Sequence, residues 1–257
     1  MDHDDRVREE FTRQSGHFAS AAKIADAQLT QRFVDAVSPE PGWRILDVAC
    51  GPGLVTVALA PHAREVVALD LTPEMLNKAG QRCAAAGVAN VAFRQGSAGD
   101  LPFEANSFDA VVTRLSLHHF ENPARPLAEM ARVLRPGGRC VVADVISSED
   151  PEESALHNAI EILRDPSHVR MLPESELLRL LAGAGLEVVG QTTWDMHREF
   201  EEWAQIVDDP MRVAPVRTIA RTLARLGQHA GTGLSLADGN IVFFHRWVLV
   251  VARKPGG

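Results

Sequence analysis

Arg44-Ile45-Leu46-Asp47-Val48-Ala49-Cys50-Gly51-Pro52-Gly53-Leu54 is the stretch on which the reading of this chain turns. An apolar run ends in a turn that holds two glycines, and a helical pattern opens at Leu54. Gly51 and Gly53 let the backbone turn sharply and approach a bound ligand with no Cβ in the way. Such a turn alone would equally suit the dinucleotide fingerprint G-x-G-x-x-G. Here Thr56 occupies the third glycine position, and the acid Asp47 stands near the end of the strand. A carboxylate at that place disfavours a pyrophosphate and favours an ammonium.

Working outward, RILDVA at 44–49 is followed by EVVALD at 65–70, VAFRQ at 91–95, FDAVVTR at 108–114 and GRCVVADVI at 138–146. Each is apolar enough to be buried on both faces, as parallel strands are. Thr72-Pro73 and Asn122-Pro123 are expected to cap the helices between them, and Gly87 and Arg135-Pro136-Gly137-Gly138 to close those helices. The regular alternation predicts a doubly wound α/β sheet with right-handed crossovers. Residues 4–37 read as helical, with Leu29, Phe33, Val34 and Val37 on one face. Asp150-Pro151-Glu152-Glu153 resembles a capping box that opens a helix with Leu156, Ala159, Ile160 and Leu163 on its apolar face. A helix is expected over 173–184, and LEVVGQTTW at 186–194 and NIVFFHRWVLVVA at 240–252 read as the last two strands.

No repeat or composition shift divides the 257 residues, and a 46% hydrophobic content can fill one large core. One domain is expected: an N-terminal helical cap (1–42), a core (43–196 and 237–257) and a helical insertion (197–236). Phe200, Trp203, Ile206, Val207, Ile219, Leu223 and Leu226 fall at helical spacing and are expected to form most of the insertion's own core. A net charge of -8 argues against nucleic acid as a partner, because phosphate binding needs clustered Lys and Arg. No run approaches the eighteen apolar residues of a membrane span, and MDHDDRVREE lacks a signal peptide's apolar stretch. A cytoplasmic protein without membrane association is expected. Cys50, Cys83 and Cys140 are spaced for neither a disulfide framework nor zinc and are expected to be reduced thiols.

Asp70 closes the second strand, 19 residues beyond Gly51, where a carboxylate can accept hydrogen bonds from both ribose hydroxyls. That spacing supports a nucleoside ligand without separating S-adenosylmethionine from NAD. S-adenosylmethionine carries an ammonium and a sulfonium but no phosphate, so it fits an acid-bearing turn better. Leu71 and Met75 are placed to lie against an adenine face, with ordinary helix packing as the alternative for Met75.

Taken together and in order, several segments resemble the class I, Rossmann-like methyltransferases that depend on S-adenosylmethionine, in the branch related to ubiquinone and menaquinone biosynthesis methyltransferases. They are Asp47 to Gly53, Asp70-Leu71-Thr72-Pro73-Glu74-Met75-Leu76, Gly96 to Phe103, Phe108-Asp109, and Val133-Leu134-Arg135-Pro136-Gly137-Gly138, and the resemblance covers nearly the whole chain. It implies a mostly parallel, seven-stranded sheet whose last strand is antiparallel. It also implies methyl transfer from S-adenosylmethionine, leaving S-adenosylhomocysteine, to a small-molecule acceptor. Carbon or oxygen of a ring-containing metabolite or natural product is the favoured target.

Similar sequences usually read Gly-Asp-Ala after the third strand, the aspartate bonding the adenine amino group. This chain has Gly96-Ser97-Ala98, where Ser97 can accept a hydrogen bond without a charge and the Ala98 N–H can serve a ring nitrogen. Arg114 is expected to face the methionine end of the donor. His118 is the candidate general base, since an imidazole pKa near 6.5 suits deprotonation of a nucleophile. His119, together with His168 and Arg170 from Arg164-Asp165-Pro166-Ser167-His168-Val169-Arg170, is expected to border the acceptor. Phe18, from a lead-in that includes Phe11-Thr12-Arg13-Gln14, joins that group. Adjacent histidines generally point apart, and no metal is expected.

The insertion forms a lid over the acceptor in relatives; a structural or dimer-forming appendage is the alternative, which leaves a homodimer open. Rival functions are a non-catalytic S-adenosylmethionine-binding or regulatory module and an NAD(P)-dependent oxidoreductase, for which Asp47 and Thr56 are out of place. Arsenic methylation needs converging cysteines, whereas the three here are expected on a loop, a helix and a strand.

Overall fold

The computed structural model describes residues 3–20, 27–207 and 209–256, with side chains in the first stretch up to Arg13. Five strands, β1 (Arg44–Val48), β2 (Glu65–Asp70), β3 (Val91–Gln95), β4 (Phe108–Arg114) and β5 (Leu134–Ile146), pair in parallel. β6 (Glu187–Glu199) and the short β7 (Ser235–Ala237) both lie antiparallel to β8 (Asn240–Arg253), which also pairs antiparallel with β5. The order along the sheet is β3-β2-β1-β4-β5-β8-β6, with β7 on the β8 edge. The mostly parallel sheet with an antiparallel final strand is as expected, but among the described residues it has eight strands rather than seven, because Asp238-Gly239 turns β7 back on the start of β8.

Period-two alternation sends successive side chains of the central strands into different cores. Leu46 and Val48 of β1, Val111 of β4, and Val248 and Val250 of β8 pack with α5 (Ala124–Val133) and α7 (Glu174–Gly183) through Leu127, Met130, Leu177 and Leu181. Ile45, Ala110, Val112, Val141 and Leu249 face the opposite way, against Phe33, Val34 and Val37 of α2 (Ala27–Val37) and Val55 and Leu59 of α3 (Leu54–Leu59). β1 has β2 on one side and β4 on the other, so the chain leaves it in opposite directions. Ligands of open α/β sheets bind at that switch point, beyond the strands' carboxyl ends.

Several local expectations change. The helical reading of 4–37 corresponds to α1 (His3–Ser20) and α2, with 21–26 outside the described residues. Thr72 and Asn122 make no side-chain cap: Thr72 precedes α4 (Pro73–Ala85) without a capping bond, and the residue at the start of α5 is Pro123 itself. The side chain of Asp150 does cap α6 (Pro151–Arg164), accepting from the N–H groups of Glu152 and Glu153, while the Glu153 carboxylate goes to the Ser148 hydroxyl rather than back to Asp150. The buried face of α6 is polar. His157, Asn158 and Glu161 point inward, while Leu163 is exposed and Leu156, Ala159 and Ile160 are not buried. Apolar periodicity misled there because polar groups face this side of the helix: His245 against His157 and Glu161, and His168 and the Met171 N–H against Asn158.

The insertion begins later than 197, since β6 runs to Glu199, and contains α8 (Phe200–Ala204) and α9 (Pro210–Arg225). Its core comprises Phe200, Trp203, Val213, Val216 and Ala220 with Phe243 of β8, and Leu223 is partly buried against it. Ile219 is exposed and Leu226 is 70% exposed, so those two fall off the buried face of α9. Among the described residues, no helix is long and apolar enough to cross a membrane. The three cysteines are free and buried, on a loop, a helix and a strand as expected.

Candidate active site

A cavity of about 120 Å³ opens over the carboxyl ends of β1, β2 and β4. The β1 turn reaches it through left-handed backbone at Ala49 (φ 54°), Gly51 (φ 53°) and Gly53 (φ 79°), and the β4 turn does so at Leu115 (φ 55°). A left-handed conformation strains a residue with a Cβ and persists where the surroundings hold it, so Ala49 and Leu115 mark a constrained rim. Eight of the nine residues expected at the donor line this space: Asp47, Gly51, Asp70, Leu71, Met75, Ser97, Ala98 and Arg114. Gly53 sits behind it at the start of α3. A Cβ at Gly53 would lie 2.8 Å from the Ala79 Cβ of α4, so this glycine lets two helices meet rather than touching a ligand.

Asp70 ties the rim together. Its Oδ2 accepts from the Gly51 N–H and its Oδ1 from the Thr72 N–H, both at 2.8 Å. Each oxygen keeps a lone pair for a further donor. Burial raises its pKa above the ordinary carboxylate value, against those backbone bonds. Asp47 is 1% exposed and accepts from the Thr56 hydroxyl at 2.6 Å. Burial pushes the Asp47 carboxyl up to about 7, partly offset by the Thr56 bond. An incoming cation would restore its charge. Ser97 Oγ accepts from the Gly99 N–H at 3.3 Å and shapes its own loop. His3, Asp4, Val7 and Phe11 of α1 cover the cavity, and His3 Nε2 lies 2.6 Å from the His119 carbonyl.

A second cavity, about 70 Å³, shares Phe11, Leu115 and His119 with the first. Its remaining walls come from distant parts of the chain: His118, Val145, Glu161, Arg164, Asp165, His168, Met171, Arg198, Trp203, Ile206, His245 and Trp247. His118 and Asp144 form a dyad, with Nδ1 2.6 Å from Oδ1. Asp144 is held in turn by the N–H groups of Ser116, Leu117 and Val145. Burial alone would lower the pKa of His118, but the Asp144 charge and hydrogen bond outweigh it and raise the value above 6.5. His119 Nδ1 lies 3.0 Å from the Ser167 carbonyl. Burial, reinforced by His118, lowers the pKa of His119 to about 4, leaving it neutral at pH 7. His168 bonds Asn158 Oδ1, and burial with His118 lowers its pKa to about 2.

His119 and His168 thus both line the second cavity. Arg170 does not, which corrects its expected place. It forms a two-pronged pair with Glu176 at 2.6 and 2.8 Å on an exposed face, because the chain turns outward after His168. The side chain of Phe18 lies outside the described residues, while Phe11, one helical stretch earlier, lines both cavities.

Comparison with known proteins agrees with this layout. Residues 46–142, from β1 to β5, match the family described as a methyltransferase domain. The uncharacterised methyltransferase YcgJ of Bacillus subtilis is 35% identical over 160 residues, 62% of this chain and 63% of YcgJ. The crystal structure of YcgJ superposes with a TM-score of 0.82 over 90% of this chain and 99% of that one, at 27% identity. The chain carries a methyltransferase domain over residues 46–142. A demethylmenaquinone methyltransferase of Renibacterium salmoninarum is 45% identical over 111 residues, spanning 43% of this chain and 45% of that one. The sequence match therefore spans less than two thirds of these two relatives.

The matched stretch contains the whole first cavity apart from α1. Most of the second cavity lies beyond residue 142. Asp144, Glu161, Arg198 and His245 were not singled out from the sequence. Of these only Glu161 had a local signal, since His157, Glu161 and Arg164 are spaced four and three residues apart on one helix; Asp144, Arg198 and His245 lie on strands and carried none. Among the described residues, His157, Glu161 and His245 form one buried group of metal-ligand composition, their donor atoms within 4.8 Å of one another. Arg164 and His245 hold Glu161 well below the usual carboxylate range despite burial.

Proposed function

We propose that this methyltransferase transfers a methyl group from S-adenosylmethionine to a small molecule, with the donor in the first cavity and the acceptor in the second. The observation that carries the reading is the junction: two cavities of different chemistry meet at Leu115, His119 and Phe11. The first fits the donor by its functional groups. Asp47 offers a buried carboxyl for the α-ammonium, Asp70 offers lone pairs for ribose hydroxyls, and Leu71 and Met75 offer an apolar face for adenine. Ser97 and the Ala98 N–H offer the polar edge. S-adenosylmethionine supplies an electrophilic methyl on a sulfonium.

The chain's own work is alignment, exclusion of water and acceptance of a proton. Holding two reactants in a near-attack geometry is worth roughly 7–11 kcal/mol, so no elaborate catalytic set is required. α1 closes over the first cavity, and the insertion, through Trp203 and Ile206, closes over the second. His118 is the base: Asp144 fixes its Nδ1 and stabilises the imidazolium, and Nε2 remains for the acceptor's proton. Neutral His119 forms a wall between the ligands.

Calorimetric titration with S-adenosylhomocysteine and NADH tests the donor assignment. Micromolar binding of the first alone supports it. Binding of NADH instead would overturn both the role of Asp47 and the reaction class.

A further inference from the structure

We propose that the second cavity is built to hold an oxyanion, a carboxylate or phosphate borne by the methyl acceptor, between Arg164 and Arg198. The inference rests on the reading of that cavity as the acceptor site and adds the chemical class of what enters it. Among the described residues, the buried side-chain atoms without a hydrogen-bond partner are all nitrogens: they belong to Arg8, His157, Arg164, Trp194, Arg198, Trp203 and Trp247. Four of those residues line this one cavity. Buried donors are normally satisfied, and an unpaired one on a cation is costly to keep.

The carboxylates around the cavity are already supplied with donors. Glu161 receives His245 Nε2 on Oε1 at 2.8 Å and Arg164 Nη2 on Oε2 at 2.9 Å. Asp165 Oδ1 receives the N–H and hydroxyl of Ser167, and Asp144 receives three backbone N–H groups and His118. The surplus is therefore one of donors. Arg164 uses Nε and Nη2 on Glu161, lies 4.4 Å over the Trp203 ring, and keeps Nη1 unpaired. The side chain of Arg198 is 5% exposed; its Nη1 reaches Glu202 at 3.3 Å and its Nε is unpaired. Two guanidinium groups with spare N–H bonds on one cavity match the lone pairs of a carboxylate or phosphate.

A cation at His157, Glu161 and His245 would sit beside Arg164 on the same carboxylate and meet like charge, so the guanidinium pair favours an anion there. Trp203, Trp247 and Met171 supply an apolar and aromatic wall beside the cations. An anion attached to an apolar or aromatic skeleton fits both halves of the lining.

The test uses benzoate, phenyl phosphate and the neutral isostere benzamide, titrated into the wild-type protein with and without saturating S-adenosylhomocysteine and followed by tryptophan fluorescence. At least one anion is expected to bind about tenfold or more tightly than benzamide, the discrimination of roughly one charge-assisted hydrogen bond. Preference for benzoate assigns a carboxylate, and preference for phenyl phosphate a phosphate. Arg198→Gln and Arg164→Gln are each expected to erase the preference, and the wild-type comparison decides by itself if either variant fails to fold. Equal affinity for benzamide and both anions, or no saturable binding of either anion, would overturn the proposal. Failure of S-adenosylhomocysteine to bind would sink the donor reading separately, leaving the anion comparison in the free protein decisive.

Discussion

The two cavities are made in opposite ways. The first cavity is assembled from strand ends and the turns that follow them, and the Asp70 carboxylate joins two of those turns through backbone N–H groups. The second cavity is assembled mostly from side chains on α6, the segment after it, β6, β8 and the insertion. A ligand common to many relatives can be recognised by backbone geometry, which a short motif encodes. A ligand that varies is recognised by side chains that can be exchanged without disturbing the sheet, so no short motif records it.

The largest expected effect falls on the first cavity. Gly53→Val would place a branched side chain at φ 79° with its Cβ 2.8 Å from that of Ala79. Affinity for S-adenosylhomocysteine should fall more than about a hundredfold, and overpacking should cost about 1–3 kcal/mol of stability. Both are measurable by calorimetry and chemical denaturation, and unchanged affinity would show that the turn does not shape the donor site.

His118→Gln separates the cavities functionally. Once an acceptor is found, kcat should drop about a hundredfold or more while S-adenosylhomocysteine binds as before. A variant that keeps its kcat would leave alignment alone as the source of catalysis. Asp70→Ala should weaken donor binding by roughly tenfold or more through loss of the Gly51 and Thr72 ties, with benzoate binding in the second cavity unaffected. Parallel loss of both would mean that the cavities are not independent.

A smaller, graded effect follows from Asp47. With its carboxyl at about 7 in the folded protein, an ammonium must displace a proton below that pH. Affinity for S-adenosylmethionine should therefore fall as pH drops through 7, by at most about tenfold per unit, and flatten above it. Asp47→Asn should remove the slope, and a wild-type profile flat from pH 6 to 8 would contradict the pairing. The smallest effect is expected at Leu226, which is 70% exposed: Leu226→Gln should change stability by less than about 0.5 kcal/mol. A larger loss would mean that this face of the insertion is covered in solution.

By itself the sequence determined the sheet and the rim of the first cavity. Strand positions were legible because buried parallel strands are short apolar runs bounded by turn residues, as in EVVALD at 65–70, which became β2 without adjustment. The same holds for the placement of Asp47, Gly51, Asp70 and Met75, which lie within thirty residues at the carboxyl ends of β1 and β2 and just after them. Only the tertiary structure decided the rest. The helical period of α6 suggested an apolar face, yet His157, Asn158 and Glu161 are buried because His245, His168 and the Met171 N–H face them with polar groups. Arg198 and His245 enter that cavity through the antiparallel pairing of β6 with β8, and Arg170 leaves it through a turn. Pairings between residues tens of positions apart carry no local periodicity, so the chemistry of the second cavity appears only when the chain has folded.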